Sequence, residues 1–383
     1  MTNRISTEYP LNDIRNRNST LSKTFSSLKW ILALTVVADH FIRVTGLRIN
    51  GTALPMESYP GLNTLFLLIV SFLKNYAVPV FFFMSGFLFI SETNSSIGKY
   101  ADTIKRRVTR LLIPFIIWGL FGITVTLLFT IVHSETNGGN IELLPFYTNG
   151  TFNIWQFLIT LFGLNGFPVY NIPLWYMRDL IAAICLLPIA LLVFKILDWR
   201  IYIAIAAIIF ICIFDNSRSF RPEVATLFFY SGFLMRRHNI DILSLFGKIF
   251  PYALILYPIL ALTHFFFIDD SSYRYLAIIA RNVNICLFLP LTISGTSKLV
   301  SAGWLKGNLF FATASFIIFV THHPLITFFK SIVFRTLLPE EGSIMGTICI
   351  IIAYILIVAS LTLFTWILTK YTPRLLRILT GGR

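Results

Sequence analysis

Apolar stretches of about 20 residues recur along nearly the whole of this chain. A stretch of that length crosses the hydrocarbon core of a bilayer as a helix, because a helix satisfies its backbone hydrogen bonds within the segment. Hydrophobic residues make up 56% of the 383 residues and charged residues only 13%, a composition that excludes an ordinary soluble domain. The sequence therefore predicts an all-α fold, a polytopic membrane helical bundle with about ten transmembrane helices. These helices are predicted over residues 28–47, 75–92, 109–132, 173–195, 200–214, 222–236, 249–268, 275–294, 308–329 and 343–369.

Basic residues give the chain a net charge of +14, and most of them lie at one set of helix ends and loops. Cytoplasmic loops of membrane proteins carry this excess of Lys and Arg, so both termini are predicted to be cytoplasmic. The charge then faces the headgroups of the lipid bilayer, and no nucleic acid is expected as a partner.

Changes of polarity along the chain divide it into three predicted regions. Residues 1–27 are polar and are predicted to form a flexible cytoplasmic tail, residues 28–371 a membrane domain, and residues 372–383 a short basic cytoplasmic tail. Two apolar segments, residues 62–73 and 154–164, are too short for a span and are predicted to be interfacial or re-entrant helices on the outer side. The four cysteines lie in apolar stretches without the spacing of ligands, so no metal is expected.

The first predicted helix contains three ionisable residues, Lys29, Asp39 and His40. An ionisable side chain in hydrocarbon costs about 2.5–3.5 kcal/mol, so it usually has a partner or a function. Lys29 and His40 are eleven residues apart. That spacing is about three turns plus 20°, which puts both side chains on one stripe of the helix, about 16 Å apart. The spacing predicts a single cavity with a cation at its inner end and an imidazole at mid-depth.

Polar residues also interrupt later helices. Because adjacent histidines of a helix point about 100° apart, at most one of His322 and His323 is expected to share a cavity with His40. A buried histidine is more often a structural residue than a catalyst, so the role of His322 stays open. Four helices together predict a membrane-embedded pocket with an outer opening. Its candidate residues are Asp39, His40, Arg43, Arg178, Asp179, Arg281, Asn282, Asn284 and His322.

Three arginines, Arg106, Arg107 and Arg110, open the third predicted helix and share a face there. Guanidinium groups can grip phosphate oxygens in pairs, although a topology anchor explains the same cluster. Pro114 follows one turn later and frees a backbone carbonyl of this helix.

Small and aromatic residues mark two further places. Ser85 and Gly86 form a notch in an aromatic run of the second predicted helix, where another helix or a ligand could approach the backbone. Both explanations stay open. Trp175 and Tyr176 lie near the start of the fourth predicted helix, where such residues ordinarily form a membrane-interface belt.

Five motifs in order resemble those of the membrane acyltransferase-3 family. They are a basic residue eleven positions before a histidine, VPVFFFMSGFLF, RRVTR followed by a proline, PLWYMRDL and SFIIFVTHHP. The resemblance extends over residues 28–371 and implies that this region is a membrane acyltransferase domain with ten helices and a cytoplasmic N-terminus. It also implies a multi-pass protein of the cell inner (plasma) membrane. The family pattern has Arg where this chain has Lys29, which keeps the charge.

The resemblance implies transfer of an acyl group, most often acetyl, from a cytoplasmic acyl-CoA to a hydroxyl of a cell-envelope glycan or glycolipid. Acetyl-CoA is then a cosubstrate whose phosphates are held by Arg107 and Arg110, assisted by Arg106 and Lys29.

The implied chemistry centres on His40, which is either a general base or a brief carrier of the acyl group. Asp39 is its neighbour, and His322 is a second candidate. The implied acceptor-binding residues are Trp175, Tyr176, Arg178, Asp179, Arg281 and Asn282.

Two other functions stay open. A polysaccharide exporter or flippase would use the same pocket as a path and would not need His40 as a base. A non-catalytic partner of a polysaccharide-synthesis complex would need the mid-membrane charges only to hold helices together. The sequence does not indicate whether the chain forms an oligomer.

Overall fold

Helices account for most of the chain. The computed structural model describes residues 8–42, 48–49, 52–53, 60–74, 76–89, 97–137, 146–148, 151–164, 171–214, 221–336 and 344–382. The helices are α1 (Glu8–Ile42), α2 (Pro60–Leu73), α3 (Ala77–Phe87), α4 (Ile97–Asn137), α5 (Ile154–Phe162), α6 (Trp175–Cys185), α7 (Leu187–Ile196), α8 (Trp199–Ile213), α9 (Pro222–Val224), α10 (Tyr230–Arg237), α11 (Ile242–Phe267), α12 (Arg274–Ser301), α13 (Leu309–Thr336), α14 (Ile344–Tyr371) and α15 (Pro373–Leu379).

Short irregular elements join some of these helices. A 3₁₀ turn, Ile172–Leu174, leads into α6, and a π-helical segment, Ala225–Phe229, joins α9 to α10. Two antiparallel hairpins of two-residue strands are also present. They are β1 (Arg48–Ile49) with β2 (Thr52–Ala53), and β3 (Tyr147–Thr148) with β4 (Thr151–Phe152).

Membrane-spanning helices dominate the architecture, as the sequence predicts. Among the described residues, six helices are long and apolar enough to cross a membrane. A seventh span results if Ile172–Cys185 and Leu187–Ile196, which meet at 55°, count as one broken helix. Each of the ten predicted segments contains helix, but α8, Trp199–Ile213, has only 15 residues and is shorter than a full span. Ten spans and the cytoplasmic position of both termini therefore stay predictions.

The second predicted span differs from the structure. Residues 62–73, predicted as an interfacial or re-entrant helix, instead belong to α2, and together with α3 they form the candidate span Asn63–Phe87. α2 ends at Leu73 and α3 begins at Ala77, so Lys74 lies within the span but outside both helices. The sequence interpretation missed this continuity because the lysine interrupts the apolar stretch.

Two predicted tails are also helical. α1 begins at Glu8, and Thr24 and Phe25 are buried, so most of the tail predicted over residues 1–27 is an extension of the first helix. In the region predicted as a basic tail, α15 packs on α4, and the indole Nε1 of Trp118 donates to the Leu379 carbonyl at 3.0 Å. Tertiary contacts order these polar segments, which hydropathy alone does not detect. Arg43, predicted to face the pocket, lies outside the described residues.

α1 packs along α13, and the two helices run in the same direction. The rings of Trp30 and Phe311 are 4.8 Å apart, and ten residues further along α1 the rings of His40 and His322 are 5.2 Å apart. Both helices rise about 15 Å between these contacts. This parallel packing aligns the polar stripe of α1 with one face of α13.

Glycines allow α3 and the α10 region to touch backbone to backbone. A Cβ on Gly86 would overlap the Phe229 carbonyl oxygen, and a Cβ on Gly232 would overlap the Phe83 carbonyl oxygen. Both explanations for the notch at Ser85 and Gly86 therefore apply. Gly86 admits a helix, while Ser85 faces a cavity.

We expect Gly86→Ala and Gly232→Ala to destabilise the protein by about 1–3 kcal/mol each, because the added methyl group forces packed backbones apart. Thermal unfolding in detergent measures the loss. Gly247→Ala is the matched control, since a Cβ at this helical glycine meets nothing within 4 Å. Equal unfolding temperatures for all three variants would contradict the close packing.

Candidate active site

A cavity of about 240 Å³, the basic cavity, opens among α1, α3, α4 and α13. Its cationic lining consists of Lys29, Arg107 and Arg110, and aromatic and aliphatic side chains form most of the remainder. Arg107 and Arg110 are exposed at its mouth, and Arg107 donates to the Leu88 carbonyl at 2.7 Å. Helical spacing of three residues brings these two guanidinium groups together, as the sequence predicts.

Arg106 lies apart from the basic cavity. It is exposed, its guanidinium donates to Thr103 Oγ1 at 3.4 Å, and it borders a separate surface depression with Asp102 and Lys105. Arg110 lines both this depression and the basic cavity, whereas Arg106 does not line the basic cavity, so its assisting role in donor binding stays a prediction.

A second cavity of about 160 Å³, the histidine cavity, contains His40 and Asp39. Lys74, Trp175 and Arg221 also line it. These five residues come from α1, the break between α2 and α3, the start of α6 and the residue before α9. Polar groups of both charges thus converge on one imidazole.

Two further histidines contact His40. The ring of His322 lies 5.2 Å from the His40 ring and that of His323 lies 5.4 Å from it. Both imidazoles therefore approach the His40 ring. Neither is among the described lining of the histidine cavity, so the expectation that at most one of them shares it stays a prediction.

Hydrogen bonding sets the tautomer of His322. This side chain is fully buried, and its Nδ1 lies 2.9 Å from the Ile318 carbonyl oxygen. A carbonyl only accepts, so Nδ1 carries the hydrogen and Nε2 of the neutral ring is an acceptor. Within the described part of the chain, Nε2 has no hydrogen-bond partner. A buried proton acceptor thus lies beside His40.

Phe319 separates the two cavities and lines both of them. Its ring lies 5.7 Å from Tyr176 and 6.2 Å from His322. The Tyr176 hydroxyl in turn lies 3.0 Å from Ser85 Oγ. The sequence predicted one cavity containing both Lys29 and His40. In the structure Lys29 lines the basic cavity and His40 the histidine cavity, and Phe319 borders both.

Asn171 holds the backbone next to Phe319. Its side-chain amide donates to the Val320 carbonyl at 2.8 Å and to the Trp118 carbonyl at 3.1 Å, which ties α13 to α4. Gly122 makes room for this bridge, since a Cβ there would lie 2.8 Å from the Asn171 Cβ. The partition between the cavities is therefore anchored on two helices.

A family model described as an acyltransferase domain matches residues 24–369. The chain belongs to the membrane acyltransferase-3 family. This confirms the resemblance carried by the five motifs and identifies an acyltransferase with membrane helices. No curated protein and no solved structure matches the chain.

In this acyltransferase, Arg178 and Asp179 are engaged with the protein. Arg178 Nε lies 2.7 Å from Asp179 Oδ1, and Arg178 Nη1 donates to the Gly163 carbonyl at 2.7 Å. Asp179 Oδ2 accepts from the backbone N–H of Arg221 at 3.1 Å. Neither side chain is among the described lining of the two cavities, so their contact with substrate stays a prediction. Asp179 positions Arg221, which does line the histidine cavity.

Arg281 and Asn282 of the acyltransferase cap a helix. The last carbonyls of a helix lack partners within it. Asn282 donates to the carbonyls of Ile211 and Phe214 at 3.0 Å each, and Arg281 donates to the latter at 3.4 Å. These predicted acceptor-binding residues thus satisfy the end of α8, and neither is among the described lining of the cavities.

Two residues of the histidine cavity escaped the sequence interpretation, Lys74 and Arg221. Arg221 lies with its guanidinium 4.5 Å from the Trp175 ring. The signal for Lys74 was a single cation within an otherwise apolar stretch, and that for Arg221 was an arginine directly before a helix-starting proline. For metals, no group of three or more His, Cys, Asp or Glu in the described residues is placed to bind one.

We expect Arg178→Ala to destabilise the acyltransferase by about 3–5 kcal/mol, because it leaves the Asp179 carboxylate buried without its guanidinium partner. Unfolding in detergent compares this variant with the double variant Arg178→Ala, Asp179→Ala. The double variant is expected to regain part of the loss, since no buried charge is left uncompensated. Simple addition of two large losses would contradict the coupling.

Proposed function

We propose that this membrane acyltransferase moves an acetyl group from cytoplasmic acetyl-CoA to a hydroxyl group of a cell-envelope carbohydrate. The proposal assigns the protein to the cell inner membrane, with the basic cavity open to the cytoplasm and the histidine cavity open to the outer side. The observation that carries it is the meeting of a cationic cavity and an imidazole-bearing cavity at one side chain, Phe319.

The basic cavity suits the phosphates and the narrow arm of coenzyme A. Arg107 and Arg110 lie exposed at its mouth, where guanidinium forks can bind phosphate oxygens in pairs. Lys29 adds a point charge deeper inside. The lining beyond these cations is mostly apolar and leads to Tyr176 and Phe319. In this proposal the thioester arm extends past these side chains toward His40, about 16 Å along α1 from Lys29.

The histidine cavity suits a carbohydrate hydroxyl. Trp175 offers a flat ring of the kind that packs against apolar faces. Lys74, Arg221 and Asp39 supply donors and acceptors for hydroxyl groups around His40. This combination of one aromatic face with several polar groups is typical of a small-molecule site.

The proposed reaction uses His40 as a general base. The acceptor oxygen attacks the thioester carbonyl carbon while the imidazole takes the hydroxyl proton. The carbon–sulfur bond then breaks, and the coenzyme A thiolate leaves and takes the proton back from the imidazolium. The products are an ester and a thiol, so the step balances with the thioester, the hydroxyl and the imidazole alone.

Direct transfer is the form of the reaction that we propose. Because the two cavities meet at Phe319, donor and acceptor can occupy them together, and no covalent intermediate is required. A relay through acyl-His40 makes a different prediction. It would leave an acetyl group on the protein when acetyl-CoA is supplied without acceptor, and intact-mass spectrometry would detect it.

We expect His40→Ala to lower the rate of acetyl transfer by a factor on the order of 10² to 10⁴, because it removes the base. The measurement is the ester content of envelope glycans from cells with the variant, together with transfer from labelled acetyl-CoA in membranes. His238→Ala, at an exposed position beyond α10, is the control and should transfer normally. Full activity of His40→Ala would remove the enzymatic role of this residue, and loss of surface glycan in place of its esters would favour an exporter.

Donor binding gives a separate prediction. We expect Arg107→Ala and Arg110→Ala each to weaken coenzyme A binding by about 10- to 100-fold, as a lost charge-assisted hydrogen bond would. Calorimetric titration of the purified protein with coenzyme A measures the affinity. Arg106→Ala should weaken it much less, because this side chain, unlike Arg107 and Arg110, does not line the basic cavity. Equal losses of affinity in all three variants would contradict specific binding in the basic cavity. They would mean that coenzyme A responds only to the net positive charge of this part of α4.

A further inference from the structure

The segment that follows α14 forms part of the basic cavity. Gly381 and Gly382, directly after α15, line this cavity together with Arg107 and Arg110. The residues lie beyond 24–369, the range that matches the family. The sequence predicts them only as part of a basic tail, so their place in the cavity wall is a result of the tertiary structure.

A defined turn ends α15. The N–H of Gly382 donates to the Arg377 carbonyl at 2.7 Å, and the N–H of Gly381 donates to the Ile378 carbonyl at 3.2 Å. Gly381 has a φ of +68°, the left-handed conformation that favours glycine. These are the two hydrogen bonds of a Schellman motif, which closes the end of a helix. The turn is therefore rigid, and its position is set by the packing of α15.

Pro114 explains why this turn can dock on α4. A proline nitrogen carries no hydrogen, so the Arg110 carbonyl, four residues earlier, receives no helical hydrogen bond from it. Gly381 lies against this carbonyl so closely that a Cβ would overlap its oxygen. Such a Cβ would also lie 3.3 Å from Pro114 Cγ. The contact thus joins the turn to the backbone of a residue that borders the basic cavity.

A second contact holds α15 in place. The indole Nε1 of Trp118, one turn beyond Pro114 on α4, donates to the Leu379 carbonyl at 3.0 Å. Leu376 and Thr380 on the same helix are buried. The short helix is therefore held against α4 next to the Gly381 turn.

We propose that α15 and the Gly381 turn are a positioning element of the donor site. They form one wall of the basic cavity and hold the part of α4 around Arg110 and Pro114, so that the Arg107 and Arg110 guanidinium groups face into the cavity. The chemical class of ligand is a nucleotide-linked thioester with phosphates at the cavity mouth. The identity of that ligand rests on the proposed function, whereas the positioning role rests on the contacts of Gly381 and Trp118.

The test compares two glycines with the same local conformation. Gly303 also follows a helix in a Schellman motif, with a φ of +80°, but a Cβ there meets nothing within 4 Å. Gly381→Ala and Gly303→Ala therefore carry similar backbone strain, and only the first displaces the wall. We expect Gly381→Ala to weaken coenzyme A binding and to raise the KM for acetyl-CoA by on the order of ten- to a hundredfold. Gly303→Ala should match the unaltered protein in both quantities.

A second variant guards against loss of folding. Trp118→Phe keeps the ring and removes only the N–H that binds the Leu379 carbonyl, so we expect a smaller rise in the KM for acetyl-CoA with kcat unchanged. Gly381→Ala is expected to unfold at a lower temperature than Gly303→Ala, because its Cβ overlaps the Arg110 carbonyl oxygen. Binding and KM are therefore compared below the unfolding temperatures of both variants, and Trp118→Phe, which adds no atom at this contact, separates positioning from general stability. A membrane preparation with its own glycans serves as the acceptor in these assays.

The outcomes distinguish this inference from the proposed function. Unchanged coenzyme A affinity and KM in Gly381→Ala and Trp118→Phe, with acetyl transfer intact, would overturn the positioning role and leave the function standing. Failure of the unaltered protein to bind coenzyme A would overturn the donor assignment itself and this inference with it. Failure of Gly381→Ala to insert leaves the decision to Trp118→Phe, whose unchanged KM would overturn the inference.

Discussion

The parallel packing of α1 on α13 is the interaction on which both cavities depend. The ring of Trp30 contacts that of Phe311, and ten residues further along α1 the ring of His40 contacts that of His322. These two contacts fix the position of α1 along α13. The same packing brings Phe319 between the two polar regions. A shift of either helix by one turn, about 5.4 Å, would carry the imidazole away from both α13 histidines. The tight fit between apolar faces therefore sets the relative positions of groups that do chemistry.

Buried polar side chains in this bundle have two kinds of role, and their partners distinguish them. Arg281 and Asn282 satisfy the carbonyls at the end of α8, and Arg178 pairs with Asp179. Polar groups within a membrane need such partners, so these residues are explained by folding alone. His40 differs because it faces a cavity. Polarity at mid-membrane depth is thus a weak guide to function until the helix ends nearby are known.

The sequence predicted the cavity residues that share a helix face, but it missed the single cations that come from other parts of the chain. Lys29 and His40 follow from an apolar helix interrupted on one stripe, and the face shared by Arg107 and Arg110 follows from helical spacing, so local periodicity was sufficient. Lys74 and Arg221 were missed because each is a single cation near a helix end, with no spacing that ties it to His40. Arg106, which the sequence grouped with Arg107 and Arg110, does not line the basic cavity, so its role in donor binding stays a prediction.

The sequence by itself determined that this chain is an all-α membrane protein of the acyltransferase-3 family, because hydropathy, charge and motif order are properties of the linear chain. Only the tertiary structure decided that Phe319 divides the site in two, that Arg281 caps α8, and that Gly381 forms part of the basic cavity. Each of these depends on contacts between helices that are far apart in the sequence. A local sequence pattern does not predict such contacts, because they arise from the packing of the whole bundle.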